Sequence, residues 1–232
     1  MATIKLQVPA ELSSITIKQY QDFNKILKAN EGAEESEFVN MKMISIFCNC
    51  SMEDLRKGSI EQYNAAIEIL TETFKQQPVH QKTITVDGVE YGFIPNLDEI
   101  TLGEYVDLDK YIREPQDYHR AMAVMYRPIT EKIRDTYEIE DYQGSDKHAD
   151  HMKWAGLDSV MGAMVFFYHL ADELLKATRD SLGEGLMMTP PAEGLDSALN
   201  GDGISQYHIL QAITSFDYLR SLNYPYSPAS LN

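Results

Sequence analysis

The side chains best suited to chemistry are the histidines. His148 and His151 stand three apart with Asp146 and Asp150 beside them, and imidazoles and carboxylates at such spacing can share a metal ion. No second ligand pair follows at a set distance, and the surrounding QGSDKHADHMK reads as a polar connector, so no metal is expected. His169, in FFYHLADEL, has Asp172 and Glu173 one turn on, where a carboxylate would orient an imidazole for proton transfer. No nucleophile is marked beside it, and a hydrogen-bonded core histidine is the ordinary reading. GEG at Gly183–Gly185 and GDG at Gly201–Gly203 have neither the Lys-Ser/Thr of a P-loop nor the strand–turn–helix setting of a dinucleotide site. GDG also lacks the spaced ligands and closing Glu of a calcium loop. Carboxylate pairs such as Asp98/Glu99 and Glu140/Asp141 are what a chain with 36 acidic residues produces by chance. Cys48 and Cys50 are separated by one residue, a poor spacing for mutual bridging, and lack two further zinc ligands; they read as reduced thiols. The chain is therefore expected to be non-enzymatic, with no catalytic residue, no cofactor and no metal. A small hydrolase built on His169 or on the His148/His151 pair is the enzymatic alternative.

What the elements position is instead a repeated helix start. Leu12–Leu27, LSSITIKQYQDFNKIL, and Leu97–Ile112, LDEITLGEYVDLDKYI, align without a gap at an offset of 85 residues. In each, a threonine (Thr16, Thr101) precedes a residue able to complete a capping box (Gln19, Glu104). The hydroxyl accepts one orphan N–H and the amide or carboxylate reaches back to another. Ile15 with Tyr20, and Ile100 with Tyr105, are placed as hydrophobic staples. IEQY at Ile60–Tyr63 answers IEDY at Ile139–Tyr142, now offset by 79 residues, which a shorter loop in the second copy explains. These matches predict a duplicated helical unit.

Between the copies, KTITVDGVEYGFIP carries two alternating apolar runs joined by Asp87-Gly88, a dipeptide that accepts the positive φ angles of a type I′ turn. A β-hairpin is expected there. The remaining elements follow from periodicity and caps. Residues 3–8 alternate as a short strand, and Ile17–Lys28 form the first capped helix. Glu37–Phe47 is a helix with Phe38, Met41, Ile44 and Phe47 inward. Ser51 with Asp54, and Ser59 with Gln62, start a short helix and a longer one, Ile60–Lys75, with Tyr63, Ile67, Leu70 and Phe74 inward. Helices are also expected at Gln116–Met125 and Leu157–Leu182, the latter with Val160, Met164, Phe167, Leu170, Leu174 and Leu175 on a buried stripe. Met41, Met43, Met122, Met125, Met161 and Met164 fall at helical spacing and read as core filler.

The fold class expected is mainly α. A helical body over residues 1–182 holds repeat 1 (about 12–77), one inserted β-hairpin (about 82–94, within 80–95) and repeat 2 (about 97–182). A Gly- and Pro-rich linker, 183–203, and a C-terminal helix with an extended arm, 204–232, complete the chain. Met187 and Met188 in that linker, and Tyr224, Pro225 and Tyr226 in the arm, are apolar groups in segments that cannot bury them internally, and so suit docking on a partner. Asp87 and Gly88 at the tip of a projecting hairpin are placed to do the same.

The formal charge of −16 repels a phosphate backbone and excludes sequence-specific nucleic-acid binding, although an acidic surface suits a lumen through which DNA slides. The N-terminus lacks the basic region and apolar run of a signal peptide, and Val160–Ala171 is too short to span a bilayer. No membrane partner is expected, and synthesis is expected in the cytoplasm.

YGFIPNLDEITLGEYVDLDKYI, then HRAMAVMYRPI, IEDYQG and GAMVFFYHLADELLKAT, resemble a structural or assembly protein family of tailed bacteriophages, marine and crAss-like phages among them. The likeness covers most of residues 10–180 and supplies no catalytic residues. It implies a virion protein, made in the bacterial cytoplasm, that binds copies of itself in a ring and the portal or tail proteins of the same phage. The reading it favours is a neck or connector ring protein used in head–tail joining; a cytoplasmic tail-assembly chaperone is the alternative.

Overall fold

Hydroxyl side chains decide where the longer helices begin. The computed structural model describes residues 6–31, 36–96, 100–134 and 136–166. Within them, full capping boxes start α1 (Ile17–Ala29) at Thr16/Gln19, α4 (Ile60–Phe74) at Ser59/Gln62 and α5 (Leu102–Tyr111) at Thr101/Glu104. Ser36 and Ser51 cap α2 (Glu37–Phe47) and α3 (Met52–Lys57) by accepting from Val39 N and Asp54 N. Each such cap stabilises its helix by about 1 kcal/mol. The other orphan donors of α1 bond across the molecule: Ile17 N donates to Ala155 O at 3.0 Å and Lys18 N to Lys153 O at 2.9 Å. Leu157 N returns the tie to Ile15 O at 2.7 Å, so the first helix is fastened to residues far along the chain.

Thr16 with Gln19 and Thr101 with Glu104 therefore open their helices in the same way. The second matched pair behaves differently. Ile60–Tyr63 is the first turn of α4, whereas Ile139 closes a strand and 140–142 are irregular. IEQY and IEDY are alike in sequence and unlike in conformation.

The expected hairpin is present. β1 (Thr83–Val86) and β2 (Val89–Phe93) pair antiparallel about Asp87 (φ 45°) and Gly88 (φ 80°), the two left-handed residues that a type I′ turn requires. It does not project freely, because Ile84, Val86, Tyr91 and Phe93 are buried. Nor is it the whole of the β structure. β3 (Tyr126–Ile133) and β4 (Thr136–Ile139) extend it to a four-stranded antiparallel sheet in the order β1-β2-β3-β4. The single inserted hairpin is corrected accordingly. Pro128 reads as a breaker, yet it sits opposite Tyr91, next to a register shift between Ile129 and Glu131, a place in a sheet where a residue without an N–H is tolerated. β3 is buried only at Tyr126 and Arg127 and runs outward from there, with Ile133 61% exposed; β3–β4 is the hairpin that reaches solvent.

α6 (Tyr118–Met125) is the centre of the body. Tyr118, His119 and Ala121–Met125 are all buried, against α5 on one side and α7 (Asp146–Met152) on the other, and the helix runs straight into β3. The expected polar connector is thus partly helix: α7 buries Ala149 and Met152 while its charged residues face out. Residues 157–166 form a further helical stretch with Leu157, Val160, Met161, Ala163 and Met164 buried. Phe23, Phe47 and Phe74 meet edge-on at 5.2 Å, and Tyr20 stacks on Tyr118 at 6.1 Å. Residues 6–8 form no strand. The rest of the Leu157–Leu182 helix, Asp98/Glu99, His169, the linker, the C-terminal helix and the arm with Met187, Met188, Tyr224, Pro225 and Tyr226 lie outside the described residues.

Candidate functional site

Three places on the body hold groups capable of chemistry or recognition. The first joins α7 to the sheet. Tyr91 Oη lies 2.5 Å from His151 Nδ1, whose Nε2 is 3.4 Å from Asp87 Oδ2 at the hairpin tip. Burial first, then Glu140 and Asp87, push the Tyr91 phenol above its usual range. The phenol therefore stays protonated, and it shares with Nδ1 a hydrogen bond whose direction the imidazole tautomer sets. Hydroxyl, imidazole and carboxylate make the outline of a nucleophile relay, but Tyr91 is buried and the Asp87 carboxylate faces solvent, the reverse of what substrate attack needs. One turn earlier His148 Nε2 bonds Glu140 Oε2 at 2.7 Å, and Lys147 meets the other oxygen. Lys147 foremost, then His148, hold that carboxyl below its ordinary value. Each histidine has its own carboxylate, His151 that of Asp87 in the β1–β2 turn and His148 that of Glu140 just after β4, so the pair ties the sheet to the helix instead of converging on a shared point. Among the described residues no cluster of His, Cys, Asp and Glu is arranged to hold a metal ion.

The second place is a cleft of about 430 Å³ between the first turn of α5, β3 and residues 139–142. Its floor is an ion pair: Arg127 Nη2 lies 2.6 Å from Glu104 Oε1, with both side chains nearly inaccessible. Glu104 Oε2 accepts from Thr101 N at 2.7 Å and Thr101 Oγ1 at 2.6 Å. The capping carboxylate already answers the positive end of α5, so an incoming anion finds that end occupied and meets Glu140 and Asp141 at the rim. Above the guanidinium, 5.6 Å away, lies the Tyr142 ring, whose hydroxyl donates to Asp107. This cleft reads as a neutralised structural joint.

The third place is apolar and open. α2 is apolar on nearly every face, and it buries Val39, Met43, Ile44 and Phe47. Of the four expected inward, Ile44 and Phe47 are buried, Met41 is only partly so and Phe38 is turned to the outside, because the face that fits the core is centred on Val39, Met43, Ile44 and Phe47. Ser59 caps α4 so that Ile60 is its first residue, beside Phe38 and Met41. Together with Met52, Leu55, Tyr63, Glu37 and Arg56 these side chains line a groove of about 540 Å³. Phe38 is 46% and Ile60 50% exposed. Covering each would release about 1 kcal/mol, half the value of burying such a side chain fully. Lys42 Nζ stands 5.8 Å from the Phe38 ring.

Of the residues expected to meet partners, Asp87 and Gly88 are at the hairpin turn, with Asp87 engaged by His151; the other five lie outside the described residues. The groove was not evident in the sequence. A helix as uniformly apolar as EFVNMKMISIF does not mark which stripe the core takes, and the surplus apolar residues are themselves the signal. Cys48 and Cys50 are free thiols, and burial pushes Cys48 up to about 12. No family model, curated protein or solved structure matches the chain.

Proposed function

We propose that this chain is a non-enzymatic structural protein of a tailed-phage virion, a component of the neck or connector ring between portal and tail. The observation that carries the reading is the open apolar groove of α2, α3 and α4, a surface built for a macromolecular contact. The resemblance to tailed-phage structural and assembly proteins supplies the setting. A formal charge of −16 lets DNA pass near such a subunit without adhering to it. Mass spectrometry of purified particles tests the assignment: the chain should be present at the copy number of a ring. Its absence from particles would remove it.

A cytoplasmic tail-assembly chaperone is the second reading. Met41 and Met52 in the groove favour it, because flexible thioether side chains adapt to varied apolar partners. A chaperone would be abundant in infected cells, bound to a tail protein, and missing from finished particles.

A further inference from the structure

The α2–α3–α4 groove calls for an apolar occupant, and the chain itself offers one. We propose that residues 204–222 of a second copy dock in the groove through their apolar side chains. This rests on the ring reading above. The described residues stop at 166, leaving 66 residues to follow. Among these, Ile209, Ile213 and Phe216 recur at i, i+4 and i+7, the spacing with which a helix anchors in an apolar groove. Phe38, Met41, Leu55 and Ile60 give three anchors an apolar bed.

Charge agrees with the fit. The groove lining includes one acid and one base, Glu37 and Arg56. The segment carries Asp217 and Arg220 one turn apart beside its last anchors, able to oppose them in one orientation. Residues 183–203 precede the segment with GEG, PP and GDG, a composition suited to a tether. A tail on one part of the subunit and its receptor on another make a heterologous joint. Such a joint repeats from copy to copy and closes into a ring when the rotation allows.

Sedimentation velocity of the full chain tests the assignment. The wild-type chain should form oligomers, and Ile60→Glu in the groove or Ile213→Glu in the tail should each reduce the mass to that of a monomer, 26.4 kDa. An equimolar mixture of the two variants should give dimers and nothing larger, because each pair keeps one intact groove and one intact tail. Ile60 is half exposed at the first position of α4, where a carboxylate is well tolerated, and unchanged circular dichroism separates lost docking from lost fold. Oligomers that survive Ile60→Glu overturn the groove as the joint. A monomeric wild-type chain whose groove amides exchange faster on Ile213→Glu shows its own tail in place, and one with no such change points to a foreign partner; both overturn the second copy. Residence in the particle is read separately by mass spectrometry, so failure here and failure of the virion assignment are distinguishable.

Discussion

His119 shows what a single buried residue demands of the solvent. Gln21 Nε2 donates to its Nδ1 at 2.9 Å while also facing the carbonyls of Pro115 and Gln116 at 2.9 Å each. Nδ1 can accept only while the ring is neutral. Burial first, then Lys153 and Arg120, hold its pKa below the usual 6.5, against smaller opposing effects of Asp117 and Asp150. Below that usual value the unfolded chain takes up a proton that the folded chain refuses. The stability this residue contributes is therefore present at neutral pH and is lost as pH falls from 6.5 toward the depressed folded value. His80, lowered by burial and Lys82, acts with the same sign, so the test compares variants. His119→Asn keeps an acceptor near the Nδ1 position and removes the titration. Its melting temperature should fall less than that of the wild-type chain between about pH 7.5 and about pH 5, and parallel curves would deny His119 this role.

At the scale of elements, the helical stretch 157–166 is held by a near-contact of main chains. A Cβ on Gly162 would overlap the carbonyl of Val79, which is backbone and cannot rotate away. Gly162→Ala should cost about 1–3 kcal/mol as an overpacked site, read as a lower urea midpoint with unchanged slope; a neutral result would mean that the crossing relaxes. In sequence this glycine reads only as a break in an apolar run. The elements that were legible are those whose signal is local. Thr16, Ser59 and Thr101 each announce a helix with their own hydroxyl, and Asp87-Gly88 announces a turn by the φ angles it tolerates. β3 and β4 gave no such notice. The outer half of β3 is exposed throughout and β4 offers only Tyr137 and Ile139 as a half-buried face, and they are strands because Tyr126 and Arg127 enter the sheet beside β2. α7 likewise owes its place to α6, against which Ala149 and Met152 are buried. The groove was hidden for a related reason: which stripe of α2 faces inward is fixed by the neighbours it meets.

For the whole molecule, the largest obstacle to assembly is its own charge. Each copy carries a formal charge of −16, and many of the exposed ion pairs among the described residues are local i,i+3 or i,i+4 contacts, such as Lys18–Asp22 and Lys57–Glu53. Such pairs contribute little to stability and leave the net field untouched. An apolar joint between such subunits forms against like-charge repulsion, and salt relieves that repulsion by shortening the Debye length from about 30 Å at 0.01 M to about 8 Å at 0.15 M. Self-association should therefore strengthen on the order of tenfold across that range, measured as the dimer or ring fraction in sedimentation equilibrium. Affinity for duplex DNA, where a protein depends on phosphate contacts, moves the other way. The direction of the salt effect thus identifies the joint. If salt dissolves the oligomer, its contacts are ion pairs between acidic and basic surfaces, and the Phe38–Ile60 groove is not what holds the copies together.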